Sequence, residues 1–147
     1  GRAYNVLLEA AARRAAAFLL ILDQDSLPAP DMLPKLERTF DRLAGAGERP
    51  AVVGPLPVSE THEPHKLPRR AVTRGEALAL DFVISSGSLV DLAAAKAVGP
   101  FREDFFIDAV DIEWCLRARH RGRTVWLARD AVMVHRLGQG VIRLPFD

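Results

Sequence analysis

The chain has 147 residues, of which 49% are hydrophobic and 27% charged, the balance of one soluble globular domain rather than of a disordered or fibrous chain. Lys and Arg number 20 against 19 Asp and Glu, a formal charge of +1 that is too even to advertise a nucleic-acid surface. The single Cys115 excludes an internal disulfide and argues against a cysteine-based zinc site, and no apolar stretch approaches the roughly 20 residues that cross a bilayer.

Gly1-Arg2-Ala3-Tyr4-Asn5 opens directly into a helical pattern, unlike a signal peptide, and the lack of an initiator Met suggests a chain cut from something longer. A reducing, cytosolic setting fits the cysteine usage. Residues 2–16 are rich in Ala, Leu and Arg and predict a helix. It feeds a strand at 17–22, where Phe18-Leu19-Leu20-Ile21-Leu22 runs unbroken into Asp23-Gln24-Asp25-Ser26. An apolar run that stops abruptly in acids reads as a buried strand of a parallel sheet, expected at the centre of that sheet. In open α/β sheets ligands sit outside the carboxyl ends of the strands, and on an extended segment Asp23 and Asp25 share one face. Two such carboxylates can hold a hard divalent cation against phosphate oxygens. The alternative is an ordinary strand-end turn, with Asp23 or Ser26 bonding local backbone and Pro28 leading into the next helix.

Residues 23–29 are expected to form an acidic loop. Pro30 or Asp31 then opens a helix through about Leu43, with Leu33, Leu36, Phe40 and Leu43 at helical spacing and Gly45 and Gly47 stopping it. Ala51-Val52-Val53-Gly54 reads as a short strand closed by Pro55. Residues 55–76 hold four prolines among charges and read as a long surface excursion. His62 and His65 lie in it without a strand or helix to fix both rings, so a metal role is disfavoured. Leu80–Ile84 reads as a strand, followed by Ser85-Ser86-Gly87-Ser88, small residues that let backbone approach a ligand, or an ordinary turn into a helix at Val90–Val98.

A second acidic stretch is Asp108-Ala109-Val110-Asp111-Ile112-Glu113, at the start of a helix from about Ala109 to His120. It reads in two ways. Asp108 can be the N-cap, with Asp111 completing a capping-box-like pair and Glu113 pairing with Arg117. Alternatively, three acids in one turn repel, which raises the affinity of one for a proton and suits a general base. Strands at Thr124–Leu127 and Ala131–Val134 follow, and His135 stands directly after the second.

Taken together, Leu22-Asp23-Gln24-Asp25-Ser26, Ile84-Ser85-Ser86-Gly87-Ser88, Phe106–Arg117 and His135-Arg136-Leu137-Gly138 resemble, in order and spacing, a family-two glycosyltransferase of the GT-A fold, most closely its rhamnosyltransferase-like branch. The resemblance covers essentially the whole chain and implies an α/β domain with a mostly parallel sheet flanked by helices. It also implies that residues 1–147 are the C-terminal two thirds of such a domain, lacking its first nucleotide-binding strands. It assigns Asp25 to a Mg²⁺ or Mn²⁺ ion bridging the donor diphosphate, with His135 as second ligand. Asp23 would contact the donor, Ser85, Ser86 and Gly87 would line the donor and acceptor pocket, and Asp108 and Glu113 would orient sugars. Asp111 matches the base that deprotonates the acceptor hydroxyl. The implied reaction is an inverting transfer of rhamnose from dTDP-rhamnose to a saccharide or lipid-linked saccharide. The implied place is the cytoplasm, with peripheral association at the inner face of the membrane.

Two rivals have distinguishing marks. A phosphohydrolase of the haloacid dehalogenase type also sets Asp-x-Asp after an apolar strand, but it needs a Lys and a further acidic pair at later strand ends. Lys96 falls inside a predicted helix and no such pair follows. A fragment that binds metal weakly and transfers nothing is the non-enzymatic rival.

Overall fold

A computed structural model of the chain describes residues 1–24, 26–59, 61, 71–105 and 109–135. The described elements are α1 (Arg2–Arg13), β1 (Phe18–Leu20), β2 (Ser26–Pro28), α2 (Met32–Gly45), β3 (Pro50–Val58), β4 (Thr73–Arg74), β5 (Ala77–Ala79), β6 (Leu89–Asp91), α3 (Leu92–Val98), α4 (Val110–His120) and β7 (Thr124–His135). Six strands follow the order β1-β6-β3-β7-β5-β4, and β2 pairs with β7 off that path.

The sheet is mixed, which corrects the expectation of a mostly parallel one. Among the described strands only β3 and β7 pair in parallel. The reason lies at 90–98, which reads as one helix by composition. Asp91 splits it: its carboxylate accepts the Ala94 N–H as the N-cap of α3, so the preceding Leu89 and Val90 are free to extend as β6. β6 runs antiparallel to both β1 and β3, which therefore share a direction with each other and with β7. β1 also ends the described order instead of sitting at the centre, with β6 as its one described partner.

Other boundaries moved for local reasons. β3 does not stop at Pro55 but continues to Val58 beside β7. Past Val53 it has lost β6 on its other side, so the absent proline N–H groups break no described ladder there. The two strands expected at 124–127 and 131–134 are one strand, β7, bent where the register passes from Pro55↔Ala128 to Leu56↔Val132. The strand expected at 80–84 is instead β5, at 77–79. The ladder ends as the Leu80 N–H reaches the Val125 carbonyl, beyond which Asp81 and Phe82 are exposed. The acidic loop at 23–29 contains β2.

Alternation along the central strands divides the core into two layers. Val52, Val90, Val125 and Leu127 face α3 and α4, where Ala94, Val98, Trp114, Cys115 and Ala118 close the core. Val53, Leu89 and Trp126 face α2, which contributes Met32, Leu36, Phe40 and Leu43. α4 turns Val110, Trp114, Cys115 and Ala118 inward and leaves Leu116 exposed. Among the described residues no helix is long and apolar enough to cross a membrane.

Candidate functional site

The turn at residues 85–88 is fastened to the carboxyl end of β1. Ile21 N–H donates to the Ser88 carbonyl at 3.0 Å, and Gly87 N–H donates to the Ile21 carbonyl at 2.7 Å. Ser88 closes the turn locally, its hydroxyl donating to the Ile84 carbonyl at 2.5 Å. Gly87 sits at φ 74°, in the left-handed region. A Cβ there would lie 2.5 Å from Met133 Sδ and 2.6 Å from Pro55 Cγ, so β3 and β7 press directly on this backbone. The small residues read from the sequence as a ligand-approach loop are thus packed tightly at their glycine and carry polar groups on both flanks.

On one flank stands Asp111, in the first turn of α4. Its Oδ2 accepts the Ser85 N–H at 3.0 Å and its Oδ1 accepts the Ile112 N–H at 2.9 Å. The carboxylate is partly buried, oriented by two backbone donors, and keeps lone pairs on both oxygens. Glu113 points elsewhere: it forms a two-pronged pair with Arg117, whose remaining N–H groups hold the Val98 and Pro100 carbonyls. The N-cap position belongs to Ala109, at φ 61° and with no side-chain cap, which corrects the placing of Asp108 there. Beneath Asp111, burial pushes the Cys115 thiol up to about 12, with the Asp111 charge adding to the effect.

On the other flank stands His135. β2 pairs antiparallel with β7 so that Ser26 lies directly across from His135, and cross-strand neighbours share a face. The Ser26 hydroxyl is 3.2 Å from His135 Nδ1 and 2.5 Å from the Ser86 hydroxyl. The Asp23 N–H donates to Ser86 Oγ at 3.4 Å, and the Asp23 side chain is exposed. Adjacent residues of one turn therefore face in two directions, Ser85 towards Asp111 and Ser86 towards His135.

Sequence reasoning missed two members of this cluster. Ser26 was read as a local turn residue, and α1 was read only as a helix. α1 has no buried residue, yet its Tyr4 hydroxyl meets the Ser85 hydroxyl at 2.8 Å. Asn5 bonds reciprocally to Phe101, whose ring lies edge-on to Tyr4 and stacks on Trp114 of α4. The one signal available was that Tyr4 is the chain's single tyrosine, standing on an otherwise Ala-rich helix.

Asp25 and Asp108 lie outside the described residues, as do His62, His65, Phe106, Ile107 and residues 136–147. Among the described residues no three of His, Cys, Asp and Glu come together as a metal cluster. His135 has its Nδ1 engaged by the Ser26 hydroxyl, and its Nε2 has no partner among the described residues.

No protein-family model matches the chain. A dTDP-rhamnosyl transferase, RfbF of Shigella flexneri, is 27% identical to it over 154 aligned positions, covering 97% of this chain and 50% of that protein. The chain spans about half the length of the curated relative it matches, and it has a distant, glycosyltransferase-like relationship to it.

Proposed function

We propose that this chain carries the donor-diphosphate and acceptor sites of a GT-A glycosyltransferase domain of family two, in its rhamnosyltransferase-like branch. The reaction is an inverting transfer of rhamnose from a nucleoside-diphosphate donor, dTDP-rhamnose, to a saccharide or lipid-linked saccharide. The observation that carries this reading is the turn at 85–87. Its Ser85 N–H orients Asp111, while its Ser86 hydroxyl joins the Ser26 and His135 group. The distant relationship to a rhamnosyl transferase supports the same assignment. β1, β3 and β7 share one direction, and the turn, His135 and the Asp23 backbone meet at the carboxyl end of that set, the usual place for ligands in α/β sheets.

In this reading Asp111 accepts the proton of the acceptor hydroxyl as its oxygen attacks the anomeric carbon and the bond to the diphosphate breaks. A single displacement inverts that carbon. Ser85 and Ile112 hold the carboxylate by backbone donors, so its aim is set before substrate arrives. Asp25 and His135 would hold Mg²⁺ or Mn²⁺, which when bound supplies positive charge to the leaving diphosphate. One carboxylate and one imidazole are few ligands, which suits a cation that completes its shell with water and substrate phosphate. Asp23 is exposed at the same sheet end, where it would meet the donor. Glu113 orients sugars only indirectly, through the Arg117 pair that fixes the start of α4. Asp108 is assigned to the acceptor side by its place in the chain.

Calorimetry of the intact natural protein with Mn²⁺ and dTDP tests the reading. Binding is expected to require the metal and to weaken sharply in both Asp25→Ala and His135→Ala. Undiminished nucleotide binding in both variants would remove the metal assignment.

A further inference from the structure

We infer that Ser26 is a positioning residue that holds His135 as its Nδ1–H tautomer, leaving the Nε2 lone pair free for a divalent cation. This deepens the function proposed above and rests on it for the identity of the ligand.

The protons run along one chain of contacts. At its far end Ser86 Oγ lies 3.9 Å from Met133 Sδ, and a thioether has no proton to give. If that contact is a hydrogen bond, Ser86 is its donor. Ser86 Oγ also accepts the Asp23 N–H at 3.4 Å. With the Ser86 proton used, the 2.5 Å contact between the two hydroxyls takes its proton from Ser26. On this polarity Ser26 has only lone pairs to offer His135, and Nδ1 is the donor at 3.2 Å. This polarity satisfies every contact in the chain. The opposite one, with Ser86 donating to Ser26 and Ser26 to Nδ1, leaves the Met133 contact without a proton and places a proton on Nε2, which a metal would first have to displace.

The setting fixes the geometry as well as the polarity. Ser26 and Ser86 are both buried, so water competes weakly for their hydroxyls. Ser26 is held across from His135 by the β2–β7 ladder, and Ser86 by the turn bonded to Ile21. A metal-binding imidazole generally has its second nitrogen engaged in this way, and loss of such a partner weakens metal affinity about 10–100-fold.

The test is a long-range ¹H–¹⁵N spectrum of the metal-free protein, with the His135 ring signals assigned by their absence from His135→Gln. Wild type is expected to show the Nδ1–H tautomer. Ser26→Ala should shift the ring towards Nε2–H, and so should Ser86→Ala, which deprives the Ser26 proton of its acceptor and turns it towards Nδ1. Ser26→Thr, which keeps the hydroxyl, should restore the wild-type pattern. In parallel, Mn²⁺ affinity should fall about 10–100-fold in Ser26→Ala and recover in Ser26→Thr. A wild-type Nε2–H tautomer, or a tautomer indifferent to Ser26→Ala, overturns the inference and leaves the metal reading standing. Mn²⁺ affinity untouched by His135→Ala overturns the metal reading itself, and with it the purpose given to Ser26.

Discussion

The Ser85 backbone N–H donates to Asp111 Oδ2 at 3.0 Å across a sequence separation of 26 residues, so the candidate base is aimed by the turn at the end of a sheet strand and not by its own helix alone. Since the donor is a main-chain group, this contact is independent of the Ser85 side chain, whose hydroxyl is turned to Tyr4.

Asp111→Asn should therefore leave a folded protein with lost turnover. One carbonyl oxygen can keep one of the two backbone donors, so the stability cost is on the order of 1–3 kcal/mol. Removal of a general base typically costs about 10²–10⁴-fold in rate. Steady-state assays of the intact protein, with circular dichroism as the folding control, check both. Normal turnover in Asp111→Asn would exclude it as the base.

Gly87→Ala is expected to be strongly destabilising. The new Cβ meets Met133 Sδ and Pro55 Cγ inside contact distance and sits at a positive φ. Overpacking and left-handed strain together suggest about 2–4 kcal/mol, readable as a shifted midpoint in urea unfolding. Because the same turn carries Ser85 and Ser86, nucleotide binding should weaken alongside stability.

Ala109→Gly should have the opposite sign. Ala109 holds φ 61° at the start of α4 with no side-chain cap to compensate. Relief of left-handed strain exceeds the added freedom of the unfolded chain by about 0.5–1 kcal/mol. A lowered melting temperature would contradict the backbone geometry assigned to the helix start.

Cys115 should respond to alkaline pH. Its folded-state value, pushed from 9.0 to about 12 chiefly by burial, means that the native chain binds the thiol proton more tightly than the unfolded chain. That contribution is fully present below about pH 9 and is lost as pH rises towards 12. Stability should thus fall across that window, and Cys115→Ala should flatten the fall. The native thiol should also resist alkylation at pH 8 and react on unfolding.

Much of this architecture was legible in the chain. Helical spacing at Leu36, Phe40 and Leu43 anticipated the buried face of α2, although Leu33, read with them, is exposed, and the Phe18–Leu22 run anticipated a strand ending at polar residues, although Leu22 is exposed. The Glu113–Arg117 pair was readable from its spacing of four. Periodicity reports which face of an element is apolar, and it did so for most residues of these segments.

It does not report which strand lies beside which. The reversal of β6 hinged on one carboxylate, Asp91, capping a helix three residues later. The passage of β3 through Pro55 and Pro57 depended on β6 having ended alongside it. The same limit governs the site. The sequence by itself determined that acids, small hydroxyl residues and a histidine follow apolar segments, because such switches in polarity are local. That Ser26 faces His135, that Ser86 joins them, and that Tyr4 reaches Ser85 across 81 positions were decided only by strand register and by the docking of α1. Register is set by pairings distant along the chain, and hydrogen bonds act only over about 3 Å, so no local pattern encodes them.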